Sequence, residues 1–171
     1  MKKGGGIMLS VFGYFNQIED ADMVVKKLQE IDFSINQMNS IVQVSSAKNY
    51  MNIIRHEITV RKTDLYGVKK NTGLEMLLAG EQTISLSDTG TVFTPGSVAT
   101  TLARTAALES EDGLKKALIN FGIVPRIAQK YRDAIYRGGL LFWLRLDDKK
   151  VRQVIEIMKD FNAQGILTIP H

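Results

Sequence analysis

The chain has 171 residues, 44% of them hydrophobic and 23% charged, with only three prolines and no cysteine. That apolar content excludes wholesale disorder, and the missing cysteines exclude disulfide scaffolds, thiolate metal sites and thiol nucleophiles. The net charge of +4 sits in the last third: residues 111–171 carry 11 basic and 7 acidic groups. A chain of this length buries enough surface to hold a core without a metal or a disulfide.

Met1–Gly6 reads as a flexible leader and 7–171 as one domain. Ile7–Phe15, rich in β-branched and aromatic residues, predicts a buried strand. Asn16 stands three residues before Glu19, the spacing of a capping box. Ile18, Ala21, Val24, Val25, Leu28 and Ile31 then recur at helical spacing, with acidic residues in the first turn opposing the helix dipole. Asn39–Ser46 predicts a second strand, which completes a β-α-β unit.

The middle, about 47–138, is an insertion. Glu57–Arg61 and Gln82–Ser87 have strand composition, and Asp88-Thr89-Gly90 predicts a turn into Thr91–Thr94. Pro95-Gly96 is another turn, with Ser97 placed to cap a helix over Val98–Leu108. Helices follow over Asp112–Phe121, ended by Gly122, and from Pro125 to the Gly138-Gly139 stop.

The C-terminal end repeats the opening grammar. Gly139–Leu146 is the strongest strand signal, Asp147-Asp148 predicts a helix cap, and Val151, Val154, Ile155, Met158 and Phe161 form an apolar stripe. Asn162–Gly165 breaks that helix before a last strand, Ile166–Ile169. Two β-α-β units predict an α+β, ferredoxin-like sandwich. It would place two helices on one face of a four-stranded antiparallel sheet, with the long, partly helical insertion between the units.

The two ends resemble a bacterial general stress (heat-induced stress) protein family. The resemblance rests on Val11-Phe12-Gly13-Tyr14-Phe15 with Glu19-Asp20-Ala21, and on Ala117–Ile123. The Tyr-bearing run Gln129–Leu140 through Gly138-Gly139, followed by Asp147-Asp148, completes it. It covers about half the chain. The middle departs from the family's Gly/Ala-rich apolar segment, being polar and Thr-rich over Glu57–Ser110. The resemblance implies a role in stress response and assigns no catalytic residues.

Residue chemistry points to no reaction. His56 and His171 lack companions at metal-ligand spacing, so neither a metal nor a cofactor is expected. No Gly-x-Ser-x-Gly elbow surrounds Ser45, Ser46 or Ser97, and Gly67–Gly73 lacks the Gly-Lys-Ser/Thr ending of a phosphate loop. The acidic pairs Glu19-Asp20, Glu111-Asp112 and Asp147-Asp148 all stand at predicted helix starts, where capping explains them. Lys130, Arg132, Arg137 and Arg145 are the candidate anion patch, and they carry the alternative reading of a nucleic-acid or anion-binding module. The basic, aromatic-rich strand of an RNA-binding sheet is missing, which disfavours nucleic acid. A sheet face bearing Trp143 or Phe12 would need cover from the insertion or from another copy of the chain, so a homo-oligomer is expected. The longest strongly apolar stretch, Leu140–Leu144, is too short to span a bilayer, so no membrane insertion is expected. Taken together the sequence predicts a non-enzymatic, cytoplasmic, stress-related binding or self-assembling protein.

Overall fold

The computed structural model describes residues 6–60, 73–86, 89–108 and 113–170, with the backbone alone for 53–60 and 105–108. Strand β1 (Met8–Phe15) leads into α1 (Ile18–Glu30), β2 (Met38–Gln43) and α2 (Val44–Val60). Helix α3 (Gly73–Ala79) precedes a hairpin of β3 (Gln82–Leu86) and β4 (Gly90–Thr94). Three helices follow: α4 (Gly96–Leu108), α5 (Gly113–Asn120) and α6 (Pro125–Tyr136). The chain then runs through β5 (Leu140–Asp147), α7 (Val151–Asp160) and β6 (Gln164–Pro170). Single 3-10 turns, Ile35–Gln37 and Asp148–Lys150, introduce β2 and α7.

The result is an α+β protein with one six-stranded, antiparallel, open sheet in the order β3-β4-β2-β5-β1-β6. The first and last β-α-β units thus interleave as β2-β5-β1-β6, and the insertion adds its hairpin beyond β2. The expectation of four strands with helices on one face is corrected here. The insertion contributes two strands to the sheet and a helical layer to its second face.

Strand β5 shows why. Leu140, Phe142, Leu144 and Leu146 point into one core with Val11, Phe15, Met38 and Val42, closed by α1, α3 and α7. Leu141 and Trp143 point into the other with Phe12 and Ile41, closed by Leu102 of α4, Leu114 and Leu118 of α5, and Tyr131 and Ile135 of α6. A strand buried on both faces reads as a continuous apolar run rather than an alternating one. The face that carries Phe12 and Trp143 is therefore covered by the chain itself. It makes no demand for a second copy.

Local chemistry explains the boundaries. Helix α6 starts with Pro125 at its first turn, where a missing N–H costs nothing. The Asp147 side chain accepts from Lys149 N at 3.0 Å, capping the turn that opens α7, and that bond holds its carboxyl below the usual range. Gly138 has φ +96° at the stop before β5. Beside it, a Cβ on Gly139 would lie 2.6 Å from the Phe15 carbonyl oxygen, a separation no side chain tolerates.

Four expectations change. The N-cap of α1 is Gln17 and no side chain caps it, so Asn16 and Glu19 form no capping box. The predicted strand Asn39–Ser46 stops at Gln43, and Val44, Ser45 and Ser46 open α2. Glu57–Val60 is the end of that helix and not a strand. Ser97 lies inside α4, whose first bonds run from Val98 N and Ala99 N to the Pro95 carbonyl, each 2.9 Å. Residues 1–5, Arg61, the basic loop from Gly67, Asp88, Glu111-Asp112 and the side chains of both histidines lie outside the described residues.

Candidate functional site

The helical layer over the second sheet face stops short of one end. Tyr131 anchors it in the middle: its ring stands 6.2 Å from Phe12 and 6.1 Å from Tyr14, and its hydroxyl donates to the Gly165 carbonyl at 2.6 Å. Burial, with Tyr14 beside it, pushes that phenol's pKa upward, so it stays a neutral donor. Beyond this anchor, toward the start of β1 and the end of β5, a cleft of about 810 Å³ opens between the sheet and two helix ends. That lies within the roughly 300–1,000 Å³ usual for small-molecule sites.

Sheet register builds its floor. Ser10 pairs with Arg145 and Ile169, and Trp143 pairs with Phe12 and Asn39. Residues paired in register share a face, so the floor is Asn39-Trp143-Phe12 in one row and Arg145-Ser10-Ile169 in the next. The Phe12 and Trp143 rings stack at 5.2 Å between centroids. Ser97 and Val98 of α4 and Asn120 and Phe121 at the end of α5 make the walls, and Asn36 and Gln37 close one side.

Gln37 is fixed in place. Its amide nitrogen donates to the Arg145 carbonyl at 3.2 Å, and its oxygen accepts from Ser34 N at 2.9 Å. Arg145 is the single charged residue among the described residues lining the cleft, and its guanidinium has no hydrogen-bond or ion-pair partner among the described residues. The cleft thus carries one uncompensated positive charge, six amide or hydroxyl side chains and an apolar floor.

The four cations singled out in the sequence do not converge. Arg132 lies 3.2 Å from the Asp133 carboxylate and 5.0 Å over the Tyr136 ring. Lys130 and Arg137 are exposed on α6 and at its C-cap, ahead of β5. Arg145 lies at the other end of that strand, about 17 Å along it from Leu140 at roughly 3.4 Å per residue. Phe12 and Trp143 are 3% and 7% exposed, so neither offers an open ring face for base stacking.

Sequence reasoning passed over Ser10, Asn36, Gln37, Asn39 and Asn120, because ordinary polar residues from four separate segments carry no joint signal. It also passed over Glu81. This carboxylate reaches β2 where no strand covers it, accepting from Ser40 N at 3.0 Å and from Ser40 Oγ at 3.2 Å. Burial pushes its pKa up to about 8 despite those two bonds. It borders a second cavity of about 590 Å³ with Lys48, Glu75, Met51 and Phe93.

Among the described residues no group of acidic or imidazole side chains converges as a metal site, and no helix is long and apolar enough to cross a membrane. No family model, curated protein or solved structure matches the chain.

Proposed function

We propose that this chain is a non-enzymatic binding protein that holds a small ligand in the cleft at the open end of its sheet. One observation carries the reading: Arg145 stands without a hydrogen-bond or ion-pair partner among the described residues, over a floor of Ser10, Asn39, Phe12 and Trp143. Arg145 is exposed to solvent at the mouth of a partly apolar cleft, and a few placed polar or charged groups in such a cleft are what orient a small ligand. The four strands β2-β5-β1-β6 with α1 and α7 are, in this reading, a ferredoxin-like unit. Its second face has been roofed by the insertion, and the roof leaves the cleft uncovered. A role in stress response rests on the resemblance of the two ends, and a cytoplasmic setting on the absence of cysteine.

Protein-observed NMR with a library of small fragments tests the site directly. Bound fragments are expected to shift the amides of Ser10, Asn39, Ser97 and Arg145 together. A library whose hits never cluster on these four amides removes the reading.

A further inference from the structure

From the composition of this cleft we infer its ligand class: an organic anion with a flat, apolar body, its acidic group on Arg145. The inference rests on the binding reading above and adds the chemistry of what is bound.

Charge decides the sign. Among the described lining residues no carboxylate opposes Arg145, so a cationic ligand meets only repulsion and a neutral one leaves the guanidinium unanswered. An oxyanion accepts two parallel N–H bonds from the guanidinium fork, a geometry that neutral groups match poorly. Ser97 and Val98 at the start of α4 bring the positive end of that helix to the same space, which adds to the preference without creating it.

Shape decides the body. The space is a slot between a sheet surface and two helix ends. Apart from its polar side chains it is lined by Met8, Phe12, Val98, Phe121, Trp143 and Ile169, with Pro170 at the rim. A flat apolar group between the strands and the helix ends buries its surface against Met8, Phe121 and Ile169. Only the edges of Phe12 and Trp143 are in reach, while the amides of Asn36, Asn39 and Asn120 supply directional contacts. A single cation sets the size as well. A polyanion such as nucleic acid draws its affinity from many phosphate contacts, and one arginine provides one.

The chain has one tryptophan, and it lies in this floor, so occupancy is read by energy transfer from Trp143. Two dyes of the same skeleton separate the claims: 8-anilinonaphthalene-1-sulfonate, an anion, and N-phenyl-1-naphthylamine, which lacks the sulfonate. The intact chain is expected to bind the anionic dye saturably and at least about tenfold tighter than the neutral one, the usual scale for one charge-assisted contact. Arg145→Gln, an exposed substitution that leaves both cores intact, should weaken the anionic dye about tenfold and change the neutral dye less than twofold. Equal affinity for both dyes, unchanged in R145Q, overturns the anion inference and leaves the binding site standing. Failure of both dyes to accept energy from Trp143 overturns the binding site and the inference with it.

Discussion

At the scale of single residues, Glu81 is a carboxyl that burial holds well above its ordinary range. Its carboxyl stays protonated up to about pH 8 in the folded chain, against 4.5 as its ordinary value. Between those values the folded chain holds a proton that the unfolded chain releases. This contribution to stability is therefore complete below pH 4.5 and declines as pH rises through 8. The slope reaches about 1.4 kcal/mol per pH unit. Glu81→Gln keeps an acceptor for Ser40 N and removes the titration. Urea unfolding at pH 5, 7 and 9 should show the intact chain losing stability relative to E81Q at each step. Parallel curves for the two proteins would mean that Glu81 is charged and solvated in the fold. Nothing in the sequence marks this residue, a single glutamate just ahead of the predicted strand Gln82–Ser87. Its burial follows from β4 pairing with β2 only at Val42↔Phe93 and Gln43↔Val92, a fact of register that no local pattern records. Arg145 entered the sequence reading only as one of four cations of a candidate anion patch, and the structure does not bring the four together. It is the one charge within an apolar strand, Leu140–Leu146.

At the scale of elements, Asp22 does for three helices what Glu81 does for a strand. It sits on α1, 3% exposed, where it accepts from Tyr50 Oη of α2 at 2.5 Å and from Leu74 N of α3 at 2.8 Å. Lys26 balances its charge at 3.2 Å. The Leu74 bond satisfies one of the free amides at the start of α3, a task normally done by a local cap. Asp22→Ala takes one acceptor from Tyr50 Oη and leaves Leu74 N without its acceptor in a closed space, which should cost about 2 kcal/mol of unfolding free energy. Asp22→Asn, which still accepts from one donor, should cost less than half as much. A D22A chain within about 0.5 kcal/mol of the parent in denaturant titration would show that the three helices are held by apolar packing alone. Elements whose signal is internal were the ones the sequence displayed. The stripe Ile18–Leu28, the run Leu140–Leu146 and the Pro125 start each carry their cause within a dozen residues. Asp22 stood on the polar side of that stripe by spacing, because α2 and α3, which enclose it, come later in the chain. Val44 misled in the same way. It is a β-former by type, yet β2 ends at Gln43, whose amide nitrogen donates to the Thr89 and Tyr136 carbonyls at 3.1 and 3.3 Å.

At the scale of the whole molecule, two cores share one sheet, but the strands do not hold it equally. β1 and β5 pair along their full length, Met8↔Asp147 through Phe15↔Leu140, and both are buried on two faces. The β3–β4 hairpin is joined to β2 at two positions only. Opening that hairpin exposes Leu86 and Val92 while leaving both central strands paired, so it is the smaller cooperative unit. Helix α4 hangs from it, since Val98 N and Ala99 N bond to the carbonyl of Pro95, the residue after β4. The cleft wall formed by Ser97 and Val98 therefore rests on the least secured part of the sheet, so a ligand held in the cleft is expected to be coupled to hairpin opening. Native-state hydrogen exchange should show β1 and β5 amides exchanging about 100-fold more slowly than those of Thr91–Thr94. If opening removes the wall, a bound ligand must suppress it. Exchange at Thr91–Thr94 and in the first turn of α4 should then slow about 100-fold with the anionic dye at a hundred times its Kd. Slowing confined to the floor strands, with the hairpin unaffected, would mean that the wall opens without releasing what it covers.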